Sequence, residues 1–341
     1  MPGGTLKRST AILASTLLLA LAGAARGATP CDAGLALADV DPLSGAAAIE
    51  LCDASSGGSP GVVSATYGSA DLATPLDQLA NGALGIGLLS AFGPNVLPQR
   101  GNRMLALSSG TARAPSDPDF VAPSGFDKGY TSAYPVGLPS EVPSCPGVIF
   151  GQPHDSVALR LVLQVPSWAH SFSFAFKFHS YDYPTFVCST YNDWFFAALT
   201  PAPMTGPSLI FDLAGNPLTV NSVETIAVCT PQIAGGVSYP CASGSAELMG
   251  TGFEDHAATP WLWTSAPVAP DTTITVDLGI FDSGDGTLDS TVLLDDFRWS
   301  SRTIESPVTT VPEPAACASA LAALAALSRA RGPRRARRPS A

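Results

Sequence analysis

Basic residues are scarce through most of this 341-residue chain. Of its 17 lysines and arginines, three lie among the first 26 residues and six among the last 13. Only eight remain for the rest of the chain, which contains 28 acidic residues in all and has a net charge of -11. Binding to DNA or RNA requires clustered Lys and Arg, so this composition excludes a nucleic-acid-binding protein.

The common catalytic and metal-binding motifs are also missing. The sequence has no CxxC or HExxH motif, and the turn at Asp282–Asp285 does not have EF-hand spacing. His179 is expected at the surface, and Glu254-Asp255-His256 is expected to form a turn rather than an acid–base pair. We therefore predict no enzymatic activity. A secreted hydrolase stays an alternative, because the distance between two carboxylates cannot be read from a sequence.

No apolar run reaches the roughly 20 residues of a membrane-spanning helix. Ala11–Ala22 is apolar, follows Lys7 and Arg8, and precedes an A-x-A-like site at Ala22-Gly23-Ala24. This order predicts a secretory signal peptide over residues 1–28, with a retained anchor as the alternative.

The C-terminal residues 311–341 have three parts. The tetrapeptide Val311, Pro312, Glu313, Pro314 precedes the apolar segment Ala315–Leu327, which precedes an arginine-rich tail. The segment predicts a short hydrophobic helix, transient or retained in the inner membrane, with the tail in the cytoplasm. A disordered basic tail is the alternative.

Strict two-residue alternation fills the middle of the chain. Phe172, Phe174, Phe176 and Phe178 alternate with smaller or polar residues, and Val157–Val165 has the same period. This period predicts β-strands. Because only Pro166–Ala169 separates the two runs, we expect them to pair as an antiparallel hairpin.

Further strands are predicted at Met104–Ser108, Trp194–Leu199, Thr273–Phe281 and Ser290–Trp299, with turn signals between them. We therefore predict an all-β fold over residues 29–300. It is an antiparallel β-sandwich of the jelly-roll kind, followed by a linker at 301–310 and by the C-terminal helix.

Six cysteines lie between the two ends: Cys31, Cys52, Cys145, Cys188, Cys229 and Cys241. An even number behind an export signal predicts three disulfides rather than a zinc site. Spacing alone does not choose among the pairings, but nearness favours Cys31–Cys52 and Cys229–Cys241, which leaves Cys145–Cys188.

Two candidate ligand sites follow from residue type. Calcium prefers oxygen ligands, and oxygen donors near strand ends or in turns predict a calcium site formed by Asp182, Asn192, Asp193, Asp289, Asp295 and Asp296. The alternative is that these side chains cap turns. Trp261 and Trp263 would share one face of a strand, where they could stack on sugar rings, as in a carbohydrate-binding module. Core packing is the alternative.

The C-terminal part resembles the PEP-CTERM sorting signal of Gram-negative bacteria, on the basis of Val311-Pro312-Glu313-Pro314, the apolar segment and the arginines. The resemblance implies export by the Sec machinery and processing by an exosortase-like enzyme.

The body resembles the choice-of-anchor L domain of bacterial surface proteins. The resemblance lies in Asp155–Pro166, the phenylalanine strand, Tyr191-Asn192-Asp193, and Asp289-Ser290 with Leu294-Asp295-Asp296. Leu105–Gly110 is similar to the L-x-x-G segment of that family, while Tyr181 and Asp182 stand where the family has two adjacent glutamates.

Together these features predict an exported, non-catalytic domain at the cell surface or outside the cell. We expect a structural or adhesive role in the extracellular or biofilm matrix, with a polysaccharide or matrix protein as partner and calcium as the one expected cofactor. A carbohydrate-binding module is the first alternative.

Overall fold

The computed structural model describes residues 30–138, 141–203, 206–304 and 308–310. The predicted signal peptide and the predicted C-terminal helix lie outside these ranges. Within the described residues, helix is limited to α1 (Pro42–Ala47) and to 3-10 turns at Leu76–Gln78, Gly82–Gly85 and Ala246–Leu248. None of the helices in the described ranges has the length and apolarity that crossing a membrane requires.

The described residues are mostly β-strand and irregular loop. The strands are β1 (Gly61–Gly68), β2 (Ile86–Leu89), β3 (Met104–Ser108), β4 (Pro153–Gln164), β5 (Ser171–Ser180), β6 (Trp194–Thr200), β7 (Val228–Cys229), β8 (Gln232–Ala234), β9 (Val237–Tyr239), β10 (Ala257–Ala258), β11 (Leu262–Pro267), β12 (Thr273–Ser283), β13 (Ser290–Ser300) and β14 (Thr309–Thr310).

These strands form two main sheets, and every pair within them is antiparallel. One sheet has the order β1-β4-β12-β6. The other has the order β14-β11-β5-β13-β3-β2, with β10 beside β5 and β7. β8 and β9 form a separate hairpin inside the loop that the Cys229–Cys241 disulfide closes. The prediction of an all-β sandwich is confirmed.

The predicted hairpin between the two longest alternating runs is wrong. β4 pairs with β1 and β12 in the first sheet, whereas β5 pairs with β11 and β13 in the second. The turn at residues 166–169 therefore carries the chain from one sheet to the other. Alternation shows that each run has one apolar face, but it does not show which strand lies beside which.

The core lies between the two sheets. All four phenylalanines of β5 are at most 1% exposed, and they face a matching row of apolar side chains on β4 that includes Leu159 and Leu161. Burying such a side chain contributes about 1.5–3 kcal/mol, so this double row stabilises the packing of the two sheets. The predicted apolar ladder is confirmed.

The outer face of β5 is also covered, contrary to expectation for His179. His179 is fully buried between Phe92 and Phe253, with ring centroids 5.0 and 5.5 Å away. Both aromatic rings come from segments distant in sequence, so the sequence of β5 alone does not predict that they cover this face. Lys177 on the same face is buried as well and forms an ion pair with Glu247.

Candidate functional site: a buried acidic cluster

Five buried aspartates lie at one end of the sandwich. They form what we call the buried acidic cluster: Asp155, Asp182, Asp193, Asp282 and Asp289, each at most 2% exposed. Asp155 lies near the start of β4, Asp282 near the end of β12, and the other three lie just outside β5, β6 and β13. Strand ends that are adjacent in an antiparallel sheet bring these side chains together.

Strand register fixes this convergence. Asp282 pairs with His154 across β12 and β4, and Ser290 pairs with Ser180 across β13 and β5. The start of β6 pairs with the end of β12 through Trp194 and Phe281. The backbone of Gly110 packs so closely against the Asp289 carboxylate that a side chain at this position would collide with it.

Two members of the cluster are well hydrogen-bonded. Asp155 accepts the backbone N–H groups of Lys128 at 2.6 Å and Tyr130 at 3.2 Å. Asp193 accepts the hydroxyl of Ser290 at 2.5 Å and the backbone N–H of Ser283 at 3.3 Å. Asp193 also shares a side-chain hydrogen bond with Asp182.

Two other members have no such partners. Neither oxygen of Asp282 and neither oxygen of Asp289 has a partner with good hydrogen-bond geometry, although both side chains are buried. The hydroxyl of Ser109 lies near Asp282 and acts to lower its pKa, against the larger effect of burial. The amide of the adjoining Asn192 is also fully buried and has no partner on either its oxygen or its nitrogen. A buried polar group without a partner costs roughly 1–3 kcal/mol, and a charged group costs more. A bound ligand would provide partners for all three side chains, and protonation would remove the charge of the two carboxylates.

Burial shifts the acidity of the whole cluster. It raises the pKa of Asp182 and of Asp289 to about 8, and it raises the pKa of Asp193 and Asp282 well above the ordinary value. The neighbouring carboxylates raise the last two further, since like charges disfavour ionisation. The pKa of Asp155 is also raised by burial.

Lys128 is the basic side chain that this cluster holds. It comes from the proline-rich segment 111–153, is 3% exposed, and donates from Nζ to the carbonyls of Ser108 at 2.9 Å and Asp155 at 3.2 Å. Burial lowers its pKa to about 8, while the charges of Asp289, Asp155 and Asp282 oppose that change. One ammonium group cannot balance five ionised carboxylates, so the cluster must hold protons or an added cation.

The side chains of the cluster do not converge on one point. Over the parts of the chain that the structure describes, no group of three or more His, Cys, Asp or Glu side chains is arranged to hold a metal ion. A bound cation would therefore have to draw the unpartnered carboxylates together.

The structure brings together four of the six predicted calcium ligands: Asp182, Asn192, Asp193 and Asp289. Asp295 and Asp296 lie elsewhere, in what we call the paired acidic cluster, together with Asp32 and Glu50. There Asp295 accepts the backbone N–H groups of Gln99, Arg100 and Asp296 at 2.5, 3.2 and 2.5 Å. These two aspartates lie in the middle of β13 and are therefore separated from the site by about half of that strand.

Arginines and N–H groups complete the paired acidic cluster. Asp296 pairs with Arg298 at 2.5 Å, Glu50 pairs with Arg100 at 2.9 Å, and Asp32 accepts the backbone N–H of Arg103 at 2.6 Å. Burial raises the pKa of Asp295 to about 8 against the opposing effect of its three N–H groups.

Sequence reasoning missed Asp155, Asp282 and Lys128 as members of the site. Asp282 was recognised only as part of an acidic turn without EF-hand spacing. Asp282 could have been predicted from its position at the end of a strand with strict two-residue alternation. Lys128 gives no such signal, because it reaches the cluster from a segment without any period.

The two tryptophans of the predicted sugar platform lie in different environments. Trp261 is 9% exposed and belongs to the apolar cluster around Phe92 and Phe253. Trp263 is half-buried, and the guanidinium of Arg298 lies 5.2 Å from the centroid of its ring. This packing favours the alternative in which both indoles stabilise the fold.

Comparison with known proteins agrees with the resemblance that the motifs gave. A search among curated proteins found no match. The family model of the choice-of-anchor L domain matches residues 153–297, from the start of β4 into β13, which is less than half of the chain. All five aspartates of the buried acidic cluster lie within that range, whereas Lys128 does not. The part of the chain that builds this site is therefore similar to the choice-of-anchor L domain, which indicates a surface-associated protein.

Proposed function

We propose that the protein is exported and serves as a non-catalytic surface domain, with a structural or adhesive role in the extracellular matrix. The observation that carries the proposal is the closure of three disulfides, Cys31–Cys52, Cys145–Cys188 and Cys229–Cys241. All six cysteines of the folded part are used. Such bonds persist in oxidising compartments outside the cytoplasm, which agrees with the family match.

The placement of the acidic residues supports a non-catalytic role. The carboxyl groups with the most perturbed pKa values are buried and lie beneath strand ends rather than in an open cleft. Glu254, the other acid–base candidate, accepts the backbone N–H of Gly250 at 2.8 Å and so holds a turn. His256 beside it stacks on Tyr181 with ring centroids 3.4 Å apart.

Calcium is the second part of the proposal. A calcium ion takes 6–8 oxygen ligands, and Asp282, Asp289 and Asn192 together offer five unpartnered side-chain oxygens. Bringing them together around the ion would neutralise the excess carboxylates and fasten the ends of both sheets. Protons held at the same carboxylates are the competing way to balance the cluster.

Delivery is the third part. The predicted signal peptide at residues 1–28 would direct the chain to Sec, and the motif Val311–Pro314 would direct it to an exosortase-like enzyme. The helix after that motif would lie in the inner membrane until processing. Long strands that alternate between the two sheets, as β4, β5 and β6 do, support the jelly-roll-like path within this proposal.

Surface location can be tested in a Gram-negative host that produces the full-length chain. We expect an externally added protease or impermeant label to reach the protein in intact cells. Alkylation without reductant should leave all six cysteines of residues 30–310 unlabelled. A matched variant with Val311–Pro314 replaced by Ala residues should fold identically but remain in the cell envelope. Recovery of reduced protein from the cytoplasm would refute the proposal.

A further inference from the structure

A groove lies at the end of the sandwich opposite the buried acidic cluster. Its volume is about 350 Å³, within the range of small-ligand sites. It is lined by Trp168 in the turn after β4, by Phe297 and Trp299 near the end of β13, and by the segment Glu50–Asp53. The groove shares no residue with the buried acidic cluster.

Two tryptophans face this groove in fixed positions. Trp168 is 54% exposed on a tight turn in which the N–H of Ala169 donates to the carbonyl of Pro166 at 3.0 Å. Trp299 is half-buried, and its ring meets Phe297 edge to face at 5.1 Å and 80°. An indole held in solvent on a rigid turn offers a flat apolar face at little entropic cost.

The lining segment Glu50–Asp53, which we call the acidic wall, carries two carboxylates. Glu50 is 11% exposed in its side chain and pairs with Arg100 at 2.9 Å, while Asp53 is exposed to solvent. Asp296 lies behind this wall, 3.8 Å from the same guanidinium. These three carboxylates face two guanidinium groups, those of Arg100 and Arg298, so one net negative charge remains beside the groove. The groove is therefore complementary to a cationic ligand.

The acidic wall is also rigid. The Cys31–Cys52 disulfide anchors it, and the N–H of Val62 donates to the carbonyl of Asp53 at 2.7 Å. Side chains on a fixed wall lose little freedom when a ligand binds.

We propose that this groove binds a polysaccharide that carries free amino groups, with a pyranose ring stacked on Trp168 and Trp299 and an ammonium group on Glu50 and Asp53. The apolar face of a sugar ring matches an indole, and its hydroxyl groups are donors for carboxylates. The protonated amino group supplies a positive charge that pairs with the carboxylates of the acidic wall. The inference rests on the proposed function, because only an exported protein meets such a polymer.

Titration calorimetry with the purified full-length protein tests the ligand class. We expect a glucosamine tetramer to bind at least tenfold more tightly than an N-acetylglucosamine tetramer or cellotetraose, and its affinity to fall as salt is added. Equal affinity for the uncharged tetramers would overturn the role of charge. Equal affinity for spermine, which has amines but no ring, would overturn the role of stacking. Absence of binding to all four would overturn the site.

Variants locate the site. Trp168→Ala should weaken binding of the glucosamine tetramer by about tenfold, whereas Trp168→Phe should weaken it by no more than about threefold. Glu50→Gln should weaken it by about tenfold and remove most of the salt dependence. The matched control is Tyr191→Ala, which removes an exposed aromatic ring at the opposite end of the sandwich and should leave affinity unchanged. Unchanged binding in Trp168→Ala, with its melting temperature intact, would place the ligand elsewhere. A protein that reaches the cell surface but binds no glycan would refute this inference alone.

Discussion

The two acidic clusters differ in how their charges are satisfied. In the paired acidic cluster, Asp295 accepts three backbone N–H groups, and Asp296 and Glu50 each face an arginine. In the buried acidic cluster, Asp282 and Asp289 have no partner with good hydrogen-bond geometry, and one lysine serves five carboxylates. Both contain residues that sequence reasoning assigned to one calcium site. The difference shows that buried aspartates next to or within the strands of one fold can either have a full set of hydrogen-bond donors or lack partners in the folded chain.

The largest effect is expected in the paired acidic cluster. Asp295→Ala would leave three backbone N–H groups without an acceptor, so the free energy of unfolding should fall by about 2–4 kcal/mol. Denaturant unfolding would measure this loss. Asp295→Asn keeps one acceptor oxygen and should lose less. A loss below about 1 kcal/mol for the alanine variant would show that these bonds do not stabilise the fold.

The next effect is expected from calcium, which should act on the buried acidic cluster and not on the paired acidic cluster. At pH 7.5, a calcium concentration 100 times the dissociation constant would add about 2.7 kcal/mol, which corresponds to roughly 5–10 °C in melting temperature. The measurement compares full-length protein in millimolar calcium and in chelator. Asp295→Asn should respond as the wild type does. Identical melting curves in calcium and chelator would remove calcium from the proposal.

The stability of the protein in chelator and its response to calcium should both depend on pH. The pKa of Asp182 and Asp289 is about 8 in the folded protein, above the value in the unfolded chain. In chelator the folded state therefore retains protons that the unfolded state releases, and stability falls as pH rises from about 4 to about 8. Calcium must displace these protons, so its stabilising effect should grow over the upper part of that range.

A smaller effect is expected from Asp282→Asn. Removing a buried, unpartnered carboxylate should raise the free energy of unfolding in chelator by about 1–2 kcal/mol at pH 7.5, because the folded protein no longer has to hold a proton there. The response to calcium should be lost in the same variant. Destabilisation in chelator would mean that Asp282 is already satisfied in the native protein.

The last effect is confined to acidic pH and concerns His179, next to the buried acidic cluster along β5. Burial and the charge of Lys177 lower the pKa of His179 well below its ordinary value. The unfolded chain therefore takes up a proton below about pH 6.5 that the folded protein does not, and stability falls by roughly 1.4 kcal/mol per pH unit as the medium becomes more acidic. His179→Phe should abolish this part of the acid sensitivity while retaining the contacts with Phe92 and Phe253. An unchanged pH profile would contradict it.

The long strands were predictable from the sequence because their period is strict. Phe172–Phe178 and Thr273–Phe281 each show one apolar face, and both lie where the pattern places them. Disulfide pairing followed from nearness for Cys31–Cys52 and Cys229–Cys241, and the remaining pair was then fixed. The partners of each strand were not predictable, because a period of two is the same in either sheet.

The site was predictable only in part, and for a related reason. Asp182, Asn192, Asp193 and Asp289 stand at strand ends, which is visible in the sequence. Asp295 lies inside β13, where three N–H groups from distant or adjacent backbone satisfy it. Whether an aspartate has hydrogen-bond donors depends on backbone segments that are distant in sequence. No local sequence pattern predicts these donors.

The register of the two sheets has a consequence for assembly. Leu161 of β4 lies beside Val276 of β12, and Phe178 of β5 lies beside Val292 of β13, so the central neighbours of the earliest long strands are among the last to be synthesised. Contacts this distant in sequence form slowly. In the proposed export, the chain can therefore remain unfolded until nearly all of it has crossed the membrane. The two sheets can then form only after translocation.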